Sequence, residues 1–236
     1  MAVRFETTVT AVRMCGGDVL ELSFEAPPTY SFAAGQWFRL FLDTDEGEQA
    51  RTFSHASAPS DAEIRMATRV SETAFKQALL ALRVGDRAEV SAPGGRLAIP
   101  AHVSEVTFLT GGVGVTPVRS LLRSAAAEGR TFADALVMFG VRDDACTPFL
   151  DDLRGLAEAG VRIVVVCEHP SPEWRGERGL ITAERVKRNG GEGAKRTFVV
   201  TGPPMMVMAM EAVLDELAVS EPRRIIERFG AVGTSG

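Results

Sequence analysis

The sequence predicts two folded units in series, an antiparallel β-barrel followed by an α/β unit built on a parallel sheet. The chain has 236 residues, enough for two small hydrophobic cores. Short apolar runs with few helical stretches fill the first hundred residues, whereas apolar runs alternate with helical stretches afterwards. We expect the change between residues 95 and 105, which gives domains over 1–100 and 101–236.

Composition and charge exclude several classes of protein. Hydrophobic residues make up 45% and charged residues 24% of the chain, as in ordinary globular proteins. A formal net charge of -5 disfavours a nucleic-acid binder. No apolar run approaches the roughly 20 residues that cross a bilayer, and no signal peptide is visible. We therefore expect a cytoplasmic protein that binds neither nucleic acid nor membranes.

The three cysteines, Cys15, Cys146 and Cys167, are widely spaced. They are too few for a zinc site or a four-thiolate iron–sulfur cluster. We expect no metal site in this chain, so that any iron would belong to another protein.

Alternating apolar residues predict the strands of the first domain. Leu20, Leu22 and Phe24 alternate, and Gly16-Gly17 and Pro27-Pro28 break the chain on either side. Further strands are expected over 38–42, 64–70 and 87–91, with one helix near 74–82. Closely spaced strands of this kind are typical of a small barrel.

Continuous apolar runs predict the strands of the second domain. They cover 106–109, 135–139, 161–166 and 198–200, and we expect the run 163–166 to be buried on both faces of a parallel sheet. Helices are expected over 118–127 and 205–217. We interpret Met206, Met210, Val213 and Leu217 as core packing rather than a cofactor-contacting sulfur cluster. The small, polar tail over 231–236 is expected to be mobile.

Two glycine-containing turns follow predicted strands and precede predicted helices. The first is Gly111-Gly112-Val113-Gly114-Val115-Thr116-Pro117, in which Pro117 suits the first helical position. The second is Thr201-Gly202-Pro203-Pro204. Such turns approach a ligand closely and free helix amides can hold a phosphate, although a tight connection without a ligand explains a lone glycine-rich string equally well. In an open parallel sheet both turns face one crevice, where a single nucleotide could touch both.

The segment Arg51-Thr52-Phe53-Ser54 suits a flavin nucleotide. An arginine can clamp a phosphate, an aromatic ring can pack on a flat heterocycle, and a serine hydroxyl can bond to a ring heteroatom. An exposed arginine beside a core phenylalanine is the alternative explanation for any such tetrapeptide taken alone.

In their order along the chain, these motifs resemble those of the ferredoxin–NADP⁺ reductase family, and the resemblance covers nearly the whole sequence. The family's flavin motif falls on Arg51, Phe53 and Ser54, and its Gly-Gln-aromatic strand falls on residues 35–37. Its nucleotide motifs match Gly111, Gly112, Gly114, Thr116 and Pro117, then Gly202, Pro203, Pro204 and Met206, and its Glu-x-Phe motif matches Glu227 and Phe229.

The resemblance implies a six-stranded antiparallel flavin-binding barrel followed by a parallel-sheet nucleotide-binding domain. Arg51 would neutralise the flavin pyrophosphate, Phe53 would pack on the flavin, and Ser54 would hydrogen-bond near its reactive N5 atom. Glu227 and Phe229 would close the site and help to handle protons. The resemblance assigns cofactor binding to Arg51, Thr52, Phe53, Ser54, Lys76, Gly111, Gly112, Gly114, Thr116, Gly202, Pro203 and Phe229, and catalysis to Ser54, Thr116 and Glu227.

Three positions depart from the family pattern. A second flavin-phosphate turn, often Gly-x-x-Ser, is matched here by residues 73–76, where helix-start amides and Lys76 could meet a phosphate or Lys76 could simply be solvated. Thr201 replaces a cysteine found in many relatives, which leaves no thiol at that position. The only tyrosine is Tyr30, so Phe229 would have to cover the flavin.

The sequence leaves the choice between NADH and NADPH open. Residues 173–179 resemble a family loop near the adenosine end of the nucleotide. Glu168, just after a predicted strand, favours NADH because a carboxylate repels a 2'-phosphate. Arg142, Arg175 and Arg178 are nevertheless available to bind the 2'-phosphate of NADPH.

The resemblance implies an NAD(P)H-dependent flavoprotein reductase. It would pass a hydride from NADH or NADPH to FAD, or less favourably FMN, and then electrons singly to a separate ferredoxin-like or haem protein. Two alternatives stay open: a flavin-binding electron-transfer subunit of a larger redox complex, and a non-enzymatic nucleotide-sensing module.

Overall fold

The computed structural model describes residues 3–230, which form two six-stranded sheets. The tail over 231–236, expected to be mobile, lies outside the described residues. Within residues 3–230, no helix combines the length and the apolar character needed to span a bilayer.

The first sheet is antiparallel throughout and curls into a barrel. Its strands lie in the order β4-β3-β6-β1-β2-β5. The Ala56 amide donates to the Arg65 carbonyl at 2.7 Å, which brings the two edge strands together. The bounds are β1 (Arg4–Gly16), β2 (Val19–Glu25), β3 (Trp37–Thr44), β4 (Gly47–Ser54), β5 (Glu63–Arg69), α1 (Ala74–Ala81) and β6 (Arg87–Ser91). The predicted six-stranded antiparallel barrel is confirmed.

The second sheet is parallel throughout, with helices on its faces. Its strand order is β10-β9-β8-β7-β11-β12. The bounds are β7 (Glu105–Gly111), α2 (Val115–Ala127), β8 (Asp134–Val141), α3 (Leu150–Arg154), β9 (Val161–Cys167), β10 (Glu177–Arg178), α4 (Ala183–Arg188), β11 (Thr197–Gly202), α5 (Pro204–Glu216) and β12 (Arg224–Arg228). The predicted α/β architecture is confirmed, and the division at residue 100 stays a prediction.

Two details of the second sheet differ from the sequence prediction. A single 3-10 turn over Gly112–Gly114 leads directly into α2, which begins at Val115, so Pro117 is the third helical residue and not the first. A missing amide hydrogen costs no bond there, because the first turn has no intrahelical partner for it. Ile163 and Val164 are only half-buried, because β10 pairs with the last two residues of β9 alone.

Charged side chains join the barrel to α2 and α3. Arg119 of α2 is 1% exposed, pairs with Asp152 at 2.5 Å and donates to the carbonyl of Ala56. Arg123 bonds Asp61 at 3.0 Å. Because Ala56 and Asp61 lie beside barrel strands, these bonds fix how the two sheets meet.

A disulfide also joins the two sheets. Cys15, at the end of β1, bonds Cys146, which lies between β8 and α3, with the Cα atoms 5.4 Å apart. Cys167 is free and buried. The number and spacing of the cysteines did not predict this bond.

Candidate active site

Two cavities lie where the sheets meet, and Val113 lines both. The first, here called the barrel cavity, has a volume of about 440 Å³ and is lined by Trp37, Thr52, Phe53, Ser54, Ala67, Thr68, Lys76, Val113, Glu227, Arg228, Phe229 and Gly230. The second, here called the cleft, has a volume of about 490 Å³ and runs between the ends of β7, β8, β9 and the start of α5. One side chain therefore separates two spaces of ligand size.

The two glycine turns form one side of the cleft because β7 and β11 are neighbouring strands. Thr201 is fully buried, and its hydroxyl donates to the Gly114 carbonyl at 2.8 Å. Thr110 donates to the Thr201 carbonyl at 3.2 Å. A Cβ on Gly114 would lie 2.5 Å from the Thr201 oxygen, so only glycine fits between the turns. The prediction that both turns face one crevice is confirmed.

Of the residues assigned to the nucleotide, Gly111, Gly112 and Pro203 line the cleft. Gly202 lies behind it, with its carbonyl accepting the Phe229 amide at 2.9 Å. Thr116 lines neither cavity: it is 2% exposed and its hydroxyl donates to the Val113 carbonyl at 2.9 Å. The geometry therefore gives Thr116 the task of holding the turn, rather than direct contact with a ligand.

Methionines of α5 also line the cleft. Met205, Met206 and Met210 are among its lining residues, and a Cβ on Gly111 would lie 2.6 Å from the Met206 sulfur. The predicted core packing is confirmed for Met210, which is buried in the core, and for Met206, which packs against the same core. Both side chains also line the cleft. Val213 remains in the core at 8% exposure.

The flavin motif lines the barrel cavity at the end of β4. Thr52, Phe53 and Ser54 pair with β3, so that Ser54 lies opposite Trp37. The Phe53 ring stacks on Phe75 of α1 with centroids 6.1 Å apart. An aromatic floor and a hydroxyl thus face the same space.

Lys76 lines this cavity, whereas Arg51 lies outside its lining, near Lys76 and the Phe75 ring. Lys76 lies 5.0 Å above the Phe53 ring and donates to the Thr68 hydroxyl. Burial, helped by the charge of Arg51, lowers the pKa of Lys76 to about 8. The Arg51 guanidinium is exposed, lies 5.3 Å from the Phe75 ring centre and donates to the Gln49 side chain at 2.9 Å. The ion pairs found within residues 3–230 include neither cation, so this pair suits an anionic ligand.

Strand β12 carries Glu227, and the residue after its end is Phe229; both line the barrel cavity. Glu227 pairs in register with Thr201 on β11, and its side chain lines the cavity. Burial raises the pKa of Glu227, and the nearby Ser54 hydroxyl partly offsets that effect. Ser54 and Glu227, both assigned to catalysis, are thus brought together from different sheets.

The candidate residues for the adenosine end are separated by the structure. Glu168 and Arg142 line the cleft. Arg175 and Arg178 line a different groove, together with Arg185 on α4. The cleft therefore contains the carboxylate and one of the three arginines considered.

Val113 and Arg69 are among the cleft residues that sequence reasoning missed. Val113 occupies an unspecified position of its motif, yet it is the wall shared by both cavities. Arg69 ends β5 in the barrel, and its guanidinium approaches Gly112, with Nη2 3.7 Å from where a Cβ would stand. The only sequence signal for Arg69 was its charge near the end of a predicted strand.

Comparisons with known proteins agree with this geometry. The family model for an oxidoreductase NAD-binding domain matches residues 108–212. Ferredoxin–NADP reductase B of Sorangium cellulosum is 31% identical over 239 residues, covering 95% of this chain and 97% of that protein. The chain belongs to the ferredoxin–NADP reductase family.

Other relatives show the breadth of the family. NADH-cytochrome b5 reductase 1 of Aspergillus terreus is 28% identical over 156 residues, covering 62% of this chain and 53% of that protein. The crystal structure of a ferredoxin NADP⁺ reductase from Neisseria gonorrhoeae with bound FAD and NADP superposes with a TM-score of 0.83 at 20% identity, covering 97% of this chain and 99% of that one. The predicted family, fold and oxidoreductase class are confirmed.

Proposed function

We propose that this ferredoxin–NADP reductase family member takes a hydride from NADH or NADPH on to FAD and passes electrons singly to a separate ferredoxin-like or haem protein. The observation that carries the proposal is the shared wall at Val113, which places a flavin-sized space beside a nucleotide-sized cleft. Holding two reactants side by side is a large source of rate enhancement.

The barrel cavity fits a flavin nucleotide. Arg51 and Lys76 supply two cations for phosphate, and Phe53 supplies an aromatic surface for a ring system. α1 begins at Ala74, and the side chain of the preceding Thr73 does not cap its first amides, which leaves them open to an anion. FAD is our proposal because the related structure from Neisseria gonorrhoeae binds it, and FMN is the alternative.

A bound flavin supplies hydride acceptance and one-electron release, and the residues of this chain orient and protonate. Ser54 and Glu227 both line the cavity wall. Because burial raises its pKa, the Glu227 carboxyl keeps a proton at a higher pH than an ordinary glutamate. Phe229 covers the same side of the cavity.

We propose NADH as the favoured donor. Glu168 lines the cleft, and a carboxylate there disfavours a 2'-phosphate. Arg175 and Arg178, which could have attracted that phosphate, line a separate groove. Gly111, Gly112 and Pro203 form the part of the cleft nearest Val113, where the nicotinamide end would lie.

The first test is whether the purified protein binds FAD and whether NADH or NADPH bleaches its absorbance without oxygen. We expect FAD by mass spectrometry of the released flavin and faster bleaching with NADH. Arg51→Ala should weaken FAD binding, because it removes one of two phosphate cations. Arg39→Ala, on the neighbouring strand, is the matched control, because the Arg39 guanidinium lies over the Phe41 ring and not beside Phe75 and Lys76. Absence of bleaching by both nucleotides would refute the reductase function.

The second test concerns the acceptor. The Sorangium cellulosum relative is named as a ferredoxin reductase, so we expect reduction of a ferredoxin by the flavin-loaded protein. Cytochrome b5 and oxygen are the comparison acceptors. Faster reduction of cytochrome b5 than of ferredoxin would favour a haem protein as the acceptor. Turnover with oxygen alone would reject a protein acceptor that takes single electrons.

A further inference from the structure

The Cys15–Cys146 bond lies beside the cleft. Cys146 belongs to residues 142–149, which connect β8 to α3, and Arg142 at the start of that segment lines the cleft. Cys15 is the next-to-last residue of β1, just before the turn to β2. The bond therefore ties a barrel turn to a segment that borders the nucleotide-binding space.

The barrel turn rests directly on this segment. Gly16 has a φ of +132°, and a Cβ there would lie 2.4 Å from the Ala145 carbonyl oxygen. A small cavity of about 20 Å³ lies between the turn and the segment, and its lining includes Arg69, Gly112 and Arg142. All three residues also line the cleft, so the disulfide and the cleft share a wall.

The other side of the segment is tied to the residues that follow β9. The Arg142 carbonyl accepts the His169 amide at 2.8 Å, and Asp144 accepts the Ser171 hydroxyl at 2.6 Å. Glu168, which lines the cleft, immediately precedes His169. If the segment became mobile at Cys146, the two charged residues at this end of the cleft, Arg142 and Glu168, would therefore become mobile with it.

The remaining contacts between the barrel and the parallel sheet do not depend on the disulfide. Arg119 and Arg123 of α2 hold Ala56 and Asp61 on the barrel side. The barrel cavity is closed by β12, on the opposite edge of the parallel sheet from β9. Loss of the disulfide should therefore act on the cleft and leave the flavin in place.

We propose that Cys15 and Cys146 form a thiol–disulfide exchange site whose oxidation state sets the affinity of the cleft for its nicotinamide nucleotide. This inference rests on the proposed function of the cleft. Both half-cystines are half-buried between the exposed Gly17 and Ala145, within reach of a small dithiol. A thiolate of the dithiol attacks one sulfur to give a mixed disulfide, and its second thiol displaces the other. The protein gains two electrons and two protons, and the dithiol becomes a disulfide.

The test compares the two oxidation states of the wild-type, flavin-loaded protein. One sample is oxidised with diamide, and the other is reduced anaerobically with dithiothreitol and desalted. Thiol alkylation followed by mass spectrometry should show one free cysteine in the first sample and three in the second. With ferricyanide as acceptor, we expect the KM for NADH to rise at least about fivefold on reduction, the lower end of typical coupling between linked sites. The flavin content should not change.

Variants separate this inference from a general loss of folding. Cys15→Ser and Cys146→Ser should show the high KM of the reduced protein and no response to dithiothreitol. Cys167→Ala should respond as the wild type does. Amide hydrogen exchange provides a readout that needs no turnover, because residues 142–148 should exchange faster after reduction. Three free thiols after diamide treatment, or equal KM and exchange in both states, would overturn the proposal. Failure of flavin reduction in both states with faster exchange on reduction would instead reject the proposed function alone.

Discussion

The Thr201 hydroxyl joins the two glycine turns, and removing it should weaken both the fold and nucleotide binding. Thr201→Val keeps the shape of the side chain and deletes the bond to the Gly114 carbonyl at 2.8 Å. It also removes the hydroxyl that lies 3.1 Å from the Thr110 hydroxyl oxygen. A buried hydrogen bond is worth about 1 kcal/mol net, and an acceptor left without a partner costs about 1–3 kcal/mol. We expect the free energy of unfolding to fall by about 2 kcal/mol.

Urea unfolding monitored by circular dichroism measures this loss. Thr197→Val on the same strand is the matched control, because its hydroxyl makes no hydrogen bond within the described part of the chain. We also expect the KM for NADH to rise, since Gly112 and Pro203 would no longer be held in fixed register. A loss of stability no larger in Thr201→Val than in Thr197→Val would refute the assignment of the hydroxyl as the link between the turns.

Three further predictions concern charged residues of the two cavities. The FAD affinity of the apoprotein should weaken as pH rises through about 8, because Lys76 then loses the positive charge that attracts phosphate; titration by flavin fluorescence should show no such step in Lys76→Met. Glu227→Gln should remove the step in the pH profile of kcat that occurs above the usual glutamate range, where the wild type loses its proton and slows as pH rises. Glu168→Gln should increase kcat/KM for NADPH by about three- to tenfold relative to NADH, because it removes a repulsion of about 1 kcal/mol between the carboxylate and the 2'-phosphate. An unchanged ratio of the two donors would show that Glu168 does not face the 2'-position.

Patterns of apolar residues were sufficient to predict most of the fold. The runs at 106–109 and 135–139 lie in fully covered central strands, where burial on both faces leaves a continuous apolar signal. β1 escaped prediction because most of its 13 residues are exposed or half-buried, which weakens the alternation. β12 escaped because all its residues are at least partly exposed at the sheet edge.

The candidate site was less predictable than the fold, because side chains meet there from distant parts of the sequence. Ser54 and Glu227 were each found from a motif, but only the structure shows that they line the same cavity. Val113 and Arg69 gave no motif, because a spacer residue and a strand-end arginine fit many roles. The disulfide between Cys15 and Cys146, 131 residues apart, could not be inferred from the number of cysteines.

The path of β12 has a consequence for how the protein is made. The barrel cavity takes one wall from β4 and another from residues 227–230, so its two halves leave the ribosome at widely separated times. A nascent chain that has completed all six barrel strands still lacks that second wall. If the proposed flavin site is correct, cofactor loading therefore waits until the parallel sheet has received its edge strand β12.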